Sequence, residues 1–153
     1  MKMGLNLWVW ESPFSTDKHL GLISKSRSLG AEVIEFGMEE DTVVDTKALR
    51  RVLEEQAMEC SVVGIFPPGR DLSSEDAAVR RRGMDYADRC ISVCAELGST
   101  LLSGAVAGLF SEEAVFGAAR RTRLGYAAES MRRIAEHAAD AGVRFVIEAV
   151  NRY

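Results

Sequence analysis

Residues 144–153 read RFVIEAVNRY, and this stretch decides how the rest of the chain is interpreted. Its first part, Phe145 to Ile147, is an apolar run typical of a buried strand. Glu148 interrupts the run before Ala149 and Val150 resume it. A carboxylate in a buried strand is costly unless it meets a metal, a cation or a proton-transfer role. The stretch therefore predicts a strand that carries function, at the boundary of either half a fold or an open sheet edge.

Upstream of this strand, apolar runs alternate with segments of helical periodicity. Three of the helical segments end at Gly30, Gly98 and Gly142, the third strand ends at Pro67-Pro68-Gly69, and Ser73-Ser74-Glu75-Asp76 resembles a capping box that opens the third helix. The pattern predicts strands over 5–10, 32–37, 61–66, 100–106 and 143–150, and helices over 17–29, 45–58, 73–97 and 124–141. Strand–helix alternation indicates a parallel sheet with helices packed outside it.

Two architectures fit this alternation, an open doubly wound sheet and part of an eightfold barrel. The first predicted strand is followed by Glu11-Ser12-Pro13-Phe14 and not by a glycine-rich phosphate loop, which counts against the nucleotide-binding sheet. Aromatic and glycine residues instead cluster just after the strands, where a barrel carries its active site. A complete barrel has roughly 250 residues. We therefore expect residues 1–153 to form the N-terminal portion of a (β/α)8 barrel, with five parallel strands and four helices.

Composition limits the function classes. Of the 153 residues 47% are hydrophobic and 27% are charged, which is ordinary for a soluble globular domain. The net charge of −4 argues against a nucleic-acid-binding surface, because contacts to phosphates need clustered Lys and Arg. No apolar run reaches the roughly 20 residues of a membrane helix. Cys60, Cys90 and Cys94 lack CxxC spacing and predict reduced thiols in a cytoplasmic protein. Cys90 and Cys94 lie one helical turn apart, as a metal pair would, but their apolar helical face favours packing as small hydrophobes.

The segment from Ile147 to Tyr153 resembles the strand-five signature of the D-tagatose and D-allulose (psicose) 3-epimerases, a group within the xylose isomerase-like TIM barrels. Further similarity lies in Met1-Lys2-x-Gly4 before an aromatic-rich strand, Trp10-Glu11, Leu72-Ser73-Ser74 and Gly104-Ala105. The resemblance covers essentially the whole chain. It implies a metal-dependent isomerase that epimerises C3 of a ketose through a cis-enediolate.

The resemblance also implies roles for individual residues. Glu148 matches the glutamate that is both a metal ligand and one of two acid–base carboxylates, and the implied metal is Mn²⁺, Co²⁺ or Mg²⁺. The implied substrate-binding residues are two aromatic walls of the sugar pocket, two small residues that admit substrate, and an arginine supporting the glutamate: Phe14, Phe110, Gly64, Ala105 and Arg152.

Other features depart from the family or invite a plainer interpretation. Asn6 stands where the family usually has an aromatic residue, and the family's remaining ligands, an Asp, a His and a second Glu, come from later strands. One ligand does not make a tight site, so we expect the 153-residue chain alone to be inactive. Open strand edges also predict that it is oligomeric or aggregation-prone. His19 and His137 fall on predicted outer helices and are interpreted as packing or surface residues.

The sequence leaves open the roles of one glutamate and of two arginine clusters. Glu35 is either an active-site group near the barrel mouth or a strand-end residue paired with an arginine. The clusters Arg80–Arg82 and Arg120–Arg123 are interpreted as solvated charge, but the second, placed on the loop after strand four, leaves a sugar phosphate open as substrate. Trp8 and Trp10 would share one face of a strand, either lining the barrel or touching ligand.

Three functions are therefore compatible with the sequence. The first is the ketose 3-epimerase or a close sugar isomerase. The second is a non-catalytic half-barrel module that pairs with another chain. The third is a metal-dependent hydrolase like endonuclease IV. The acidic charge and the Asn-Arg-aromatic motif count against the third.

Overall fold

The computed structural model describes residues 1–40, 42–105 and 117–148. Its strands are β1 (Gly4–Asn6), β2 (Val33–Met38), β3 (Glu59–Ile65), β4 (Leu101–Ala105) and β5 (Arg144–Ile147). Its helices are α1 (Thr16–His19), α2 (Gly21–Ser28), α3 (Thr46–Glu55), α4 (Ala77–Leu97) and α5 (Gly117–Asp140). Two short 3₁₀ helices follow β1 and β3, at Leu7–Val9 and Pro68–Arg70. None of the helices in the described ranges could cross a membrane.

The five strands form one sheet in the order β1-β2-β3-β4-β5, and every pairing is parallel. This confirms the predicted α/β class, the strand order and the portion of a (β/α)8 barrel. A doubly wound sheet is excluded because β1 lies at the edge and not in the centre. The expected first helix is divided at Leu20 into α1 and α2, so the described residues contain five α-helices instead of four.

The hydrophobic core lies between one face of the sheet and the helices. Ile34, Phe36, Val62 and Leu102 point to this face and are at most 1% exposed. Because side chains alternate along a strand, their neighbours Glu35, Ser61 and Ser103 point to the opposite face. That opposite face corresponds to the inside of a barrel and is not covered by the helices.

Capping residues explain where the elements begin and end. Strand β1 stops at Asn6, four residues before the predicted end, because the Asn6 side chain accepts a hydrogen bond from the Trp8 amide (2.9 Å) and caps the 3₁₀ helix. Asp45 caps α3 through the Ala48 amide. Helix α4 is capped by Asp76 through the Ala78 amide, so it begins at Ala77 and not at Ser73, the first residue of the predicted helix.

Helix α5 begins at Gly117, seven residues before the predicted start. The second arginine cluster, Arg120 to Arg123, therefore lies within the first turns of a helix, and its placement on a loop was wrong. The last predicted strand residues, 149 and 150, lie outside the described ranges.

Candidate functional site

Glu148 comes directly after β5 and continues its pairing with β4, since its amide donates to the Gly104 carbonyl (2.9 Å). Strand alternation puts its side chain on the face of Val146, opposite to Phe145. This is the face that the helices leave uncovered. The Glu148 side chain is exposed and makes no hydrogen bond or ion pair with any described residue. The structure thus presents an exposed carboxylate at the carboxyl end of a barrel strand, with no partner among the residues that are described.

A second carboxylate on the same face is bound to its neighbours. Glu35 accepts hydrogen bonds from the Asn6 amide nitrogen Nδ2 (2.9 Å) and from the Ser61 hydroxyl (3.1 Å). The register aligns these three residues across β1, β2 and β3. The interpretation of Glu35 as a strand-end residue paired with an arginine is wrong, because it is the third residue of β2 and its partners are an amide and a hydroxyl.

Trp8 contributes an aromatic surface close to this polar row. Its indole lies against Gly37, where a Cβ atom would come within 2.2 Å of Trp8 Cζ2. Trp8 remains 38% exposed. The 3₁₀ helix, and not a strand, sets its direction, so the expectation that Trp8 and Trp10 share a strand face was wrong. The glycine within β2 was the sequence signal for this close approach.

Phe14 is buried, with 1% of its surface exposed, and packs against Phe36 (ring centroids 5.2 Å apart) and His19 (6.1 Å). In the described structure the ring is part of the core. Its role as a wall of the sugar pocket stays a prediction.

The two small residues of the predicted site lie on β3 and β4. Gly64 pairs with Gly104, and Ile65 pairs with Ala105. A Cβ at Gly104 would lie 2.4 Å from the Gly64 carbonyl oxygen, and a Cβ at Gly64 would lie 3.0 Å from the Phe66 ring. The glycines therefore permit close backbone and ring packing, and their part in admitting substrate stays a prediction. Phe110 and Arg152 lie outside the described residues.

An ion pair that the sequence did not suggest connects α5 to the loop after β3. Arg123 donates to Asp71 (2.6 Å) and to the Ser73 hydroxyl (3.0 Å), and both charged side chains are largely buried. The sequence signal was weak, because the two partners are 52 residues apart. This pair fixes the start of α5, the helix that precedes β5 and Glu148.

The cysteines and histidines form no metal site in the ranges 1–40, 42–105 and 117–148, which contain no group of three or more His, Cys, Asp or Glu side chains able to hold an ion. Cys60, Cys90 and Cys94 are buried free thiols, as predicted. Burial raises the pKa of Cys60 to about 12, of Cys90 to about 11 and of Cys94 to about 12, so they are protonated at neutral pH.

The histidines have protein partners on the helical side of the molecule. His137 Nδ1 lies 2.7 Å from the Asp88 carboxylate, and His19 Nδ1 accepts the Ser15 amide hydrogen (3.1 Å). Both contacts agree with the packing and surface roles expected of them.

The donor chemistry at Glu148 fits a divalent cation only in part. A solvated carboxylate is the kind of oxygen ligand that Mn²⁺ or Mg²⁺ binds. The described residues do not surround it with a group of three or more His, Cys, Asp or Glu side chains. Glu148 therefore fits as one ligand of a metal site, and the described residues alone do not complete one.

Comparison with known proteins gives a family and a fold. A family model described as xylose isomerase-like TIM barrel matches residues 23–153. The ketose 3-epimerase of Arthrobacter globiformis is 28% identical over 100% of this chain and 52% of the relative. The D-psicose 3-epimerase of Agrobacterium fabrum is 28% identical over 100% of this chain and 54% of the relative.

Solved structures agree on the fold. A crystal structure of D-allulose 3-epimerase from Methylomonas sp. in complex with D-allulose superimposes with a TM-score of 0.88 at 24% identity, over 100% of this chain and 52% of that one. The chain spans about half the length of the curated relatives it matches.

Proposed function

We propose that this chain, which belongs to the xylose isomerase-like TIM barrel family, forms part of a metal-dependent ketose 3-epimerase. The observation that carries the proposal is Glu148, an exposed carboxylate at the carboxyl end of β5 that has no partner among the described residues. Barrel enzymes place their reacting groups at this end of the strands. The similarity to ketose and D-psicose 3-epimerases supports the same reaction class.

Glu148 is proposed as the base that removes the proton from C3 of the ketose. That proton is acidic because C3 adjoins the C2 carbonyl, so its removal gives an enediolate. A carboxylate can accept this proton and return it. Inversion at C3 requires a second acid on the opposite face of the sugar.

A divalent metal is proposed as the cofactor, with Glu148 as one of its ligands. When bound, such an ion acts as a Lewis acid that polarises the substrate carbonyl. The chain's own contribution is to hold the Glu148 carboxylate at the strand end through the hydrogen bond between its amide and the Gly104 carbonyl.

The uncovered face of the sheet offers the sugar an aromatic surface and polar groups. Trp8 is partly exposed there, and apolar ring faces suit the C–H faces of a sugar. Glu35 is held by Asn6 and Ser61 and is proposed to support the interior of the barrel and not to react. Whether the ketose is phosphorylated, and whether the chain associates with a second copy, stay predictions.

The test uses the protein as its gene encodes it, with Mn²⁺ at fixed loading and a panel of ketoses. Glu148→Gln keeps the shape and removes the base, so C3 epimerisation should fall by ~10²- to 10⁴-fold with unchanged circular dichroism. The matched control is Glu136→Gln, an exposed glutamate of α5, which should leave the rate unchanged. A Glu148→Gln enzyme that keeps more than about a tenth of the parent rate at equal metal content contradicts the assignment of the base.

A further inference from the structure

Strands β2 and β3 separate at their carboxyl ends, and a side chain occupies the place of one backbone hydrogen bond. The Glu59 amide donates to the Glu32 carbonyl (3.0 Å) at the start of this pairing. Counting in steps of two along both parallel strands brings the Ile65 amide opposite the Met38 carbonyl. The Ile65 amide instead donates to the Tyr86 hydroxyl (2.8 Å), and the Tyr86 hydroxyl donates to the Met38 carbonyl. A tyrosine of α4 is therefore inserted between the two strands.

The next backbone group of β3 is also taken by a side chain. The Ile65 carbonyl accepts a hydrogen bond from Arg70 Nε (2.9 Å). The Arg70 guanidinium lies over the Tyr86 ring, 3.9 Å from its centroid. Tyr86 itself is buried and its ring meets Phe66 edge-on, with centroids 5.1 Å apart. The orientation of Arg70 is thus fixed from two sides, which lowers the entropy that it would lose on binding a ligand.

A cleft of about 390 Å³ opens at this separation, on the side of the sheet that α4 covers. The lining comes from the segments that follow β2 and β3 and from α4, and it contains three arginines and two carboxylates: Arg70, Arg82, Arg89, Glu40 and Asp85. The balance of these charges is positive by one. None of the three arginines forms an ion pair with a described residue.

The arginines are arranged so that their terminal nitrogens remain available. Arg82 Nε donates to the Gly69 carbonyl (3.0 Å), as Arg70 Nε does to Ile65. Neither makes a further hydrogen bond with the described residues. A main-chain carbonyl thus binds the Nε of each guanidinium. The two terminal nitrogens, Nη1 and Nη2, remain free to donate to an anion. This planar fork of nitrogens matches the spacing of phosphate oxygens.

We propose that the cleft between β2 and β3 binds the phosphate group of a small phosphorylated ligand, with Arg70, Arg82 and Arg89 on the phosphate and with Tyr86 holding the cleft open. Glu40 and Asp85 repel a bare anion but accept hydrogen bonds from hydroxyl groups, so a sugar phosphate satisfies the lining better than inorganic phosphate does. The cleft lies on the helix-covered side of the sheet, whereas Glu148 points to the uncovered side. The proposal is independent of the epimerase assignment.

The test is a calorimetric titration of the metal-free full chain with inorganic phosphate, fructose 6-phosphate and sorbitol. We expect both phosphates to bind with a Kd of about 1 mM or tighter, and sorbitol, which has neither a phosphate nor a carbonyl group, not to bind in that range. A sugar phosphate that binds more tightly than phosphate identifies a phosphorylated sugar as the ligand, and equal affinities identify phosphate itself. Either result supports the site, and the absence of phosphate binding overturns it.

Variants locate the binding. The pair Arg82→Gln and Arg89→Gln, both exposed and on α4, should weaken phosphate binding about tenfold or more while the fold is kept. The control Arg132→Gln removes one exposed arginine from α5 and should leave the affinity unchanged. Phosphate affinity that is equal in the double variant and the parent overturns the proposal, and so does an equal loss in the control.

The role of Tyr86 is tested separately. Tyr86→Phe keeps the ring under Arg70 but removes the inserted hydroxyl, so the strands can pair directly and narrow the cleft. We expect a weaker phosphate affinity with unchanged circular dichroism, and a folded variant with parental affinity contradicts the role of Tyr86. If Tyr86→Phe does not fold, the two arginine variants still decide the site. Glu148→Gln should bind phosphate as the parent does, so a failure of the epimerase proposal is recognised on its own.

Discussion

The β2–β3 region of the sheet and the β5 region differ in how far their side chains are buried and hydrogen-bonded. On β2 and β3 the side chains toward the helices are buried, and the polar groups on the other face are bound to each other, as Glu35 is to Asn6 and Ser61. On β5, Val146 is 45% exposed, Ile147 is 52% exposed, and Glu148 has no partner among the described residues. In the first region the side chains of the strands pack against or bind one another, and in the second they are exposed among the described residues.

The sharpest test of this contrast compares an apolar residue from each region. Phe36→Ala should lower the free energy of unfolding by ~3–5 kcal/mol, because Phe36 is fully buried and the remaining cavity cannot close completely. Val146→Ala should lower it by less than about 1 kcal/mol, because much of that side chain is already in water. Urea denaturation of both variants measures the difference, and equal losses would remove the contrast.

The next effect concerns the ion pair that joins the two regions. Arg123→Met should lower the free energy of unfolding by ~2–3 kcal/mol, because it leaves the largely buried Asp71 carboxylate without its guanidinium. Arg51→Met is the matched control, since Arg51 pairs with Glu55 in the open on α3, and it should change stability by less than about 0.5 kcal/mol. Thermal melts at low and high salt would show the interpretation to be wrong if both variants lost the same amount.

A smaller effect is expected where β3 and β4 approach each other. Gly104→Ala should cost ~1–3 kcal/mol, because its Cβ would lie 2.4 Å from the Gly64 carbonyl oxygen and the backbone must move. Gly125→Ala on α5 meets nothing within 4 Å and should instead stabilise the protein by ~0.5–1 kcal/mol. Opposite signs in chemical denaturation are the expected result. A neutral Gly104→Ala would mean that the two strands are not held at this spacing.

The smallest effect, counted per pH unit, is expected from the buried thiol of Cys60 in β3. Burial raises the pKa of Cys60 from its ordinary 9.0 to about 12, so the folded state holds this proton over a range in which the unfolded state has lost it. This contribution to stability is complete below pH 9 and is lost as the pH rises to about 12. The slope is at most about 1.4 kcal/mol per pH unit for each thiol. Cys60→Ala should flatten the alkaline decline in a series of denaturation curves, and an unchanged slope would contradict it.

The sequence predicted the framework of this molecule because strands and helices of a parallel α/β protein alternate with clear periodicity. The helix and strand order followed from that pattern, and the buried state of Cys90 and Cys94 followed from the apolar helical face on which they lie. Boundaries were predicted less well where a polar side chain decides them. Asn6 ends β1 through the Trp8 amide, and Asp76 caps α4 so that it begins at Ala77 and not at Ser73.

Residues of the candidate site could be predicted only where a single residue departs visibly from the pattern around it. Glu148 stands out because a carboxylate interrupts an apolar strand. The pairing of Trp8 with Gly37, the partners of Glu35 and the bond between Asp71 and Arg123 depend on contacts between residues 26 to 52 positions apart. Periodicity contains no information about such contacts, so the structure was needed to find them.

The Tyr86 hydroxyl has an evolutionary consequence. Whether the cleft between β2 and β3 exists depends on one oxygen atom, and phenylalanine and tyrosine codons differ by a single base. A protein of this fold can therefore gain or lose the cleft in one mutational step while the ring goes on filling the same space in the core. The arginines around the cleft can then be acquired one at a time on the surface, where each substitution is tolerated. A binding site in this position can thus arise, and can be lost, through very few mutations.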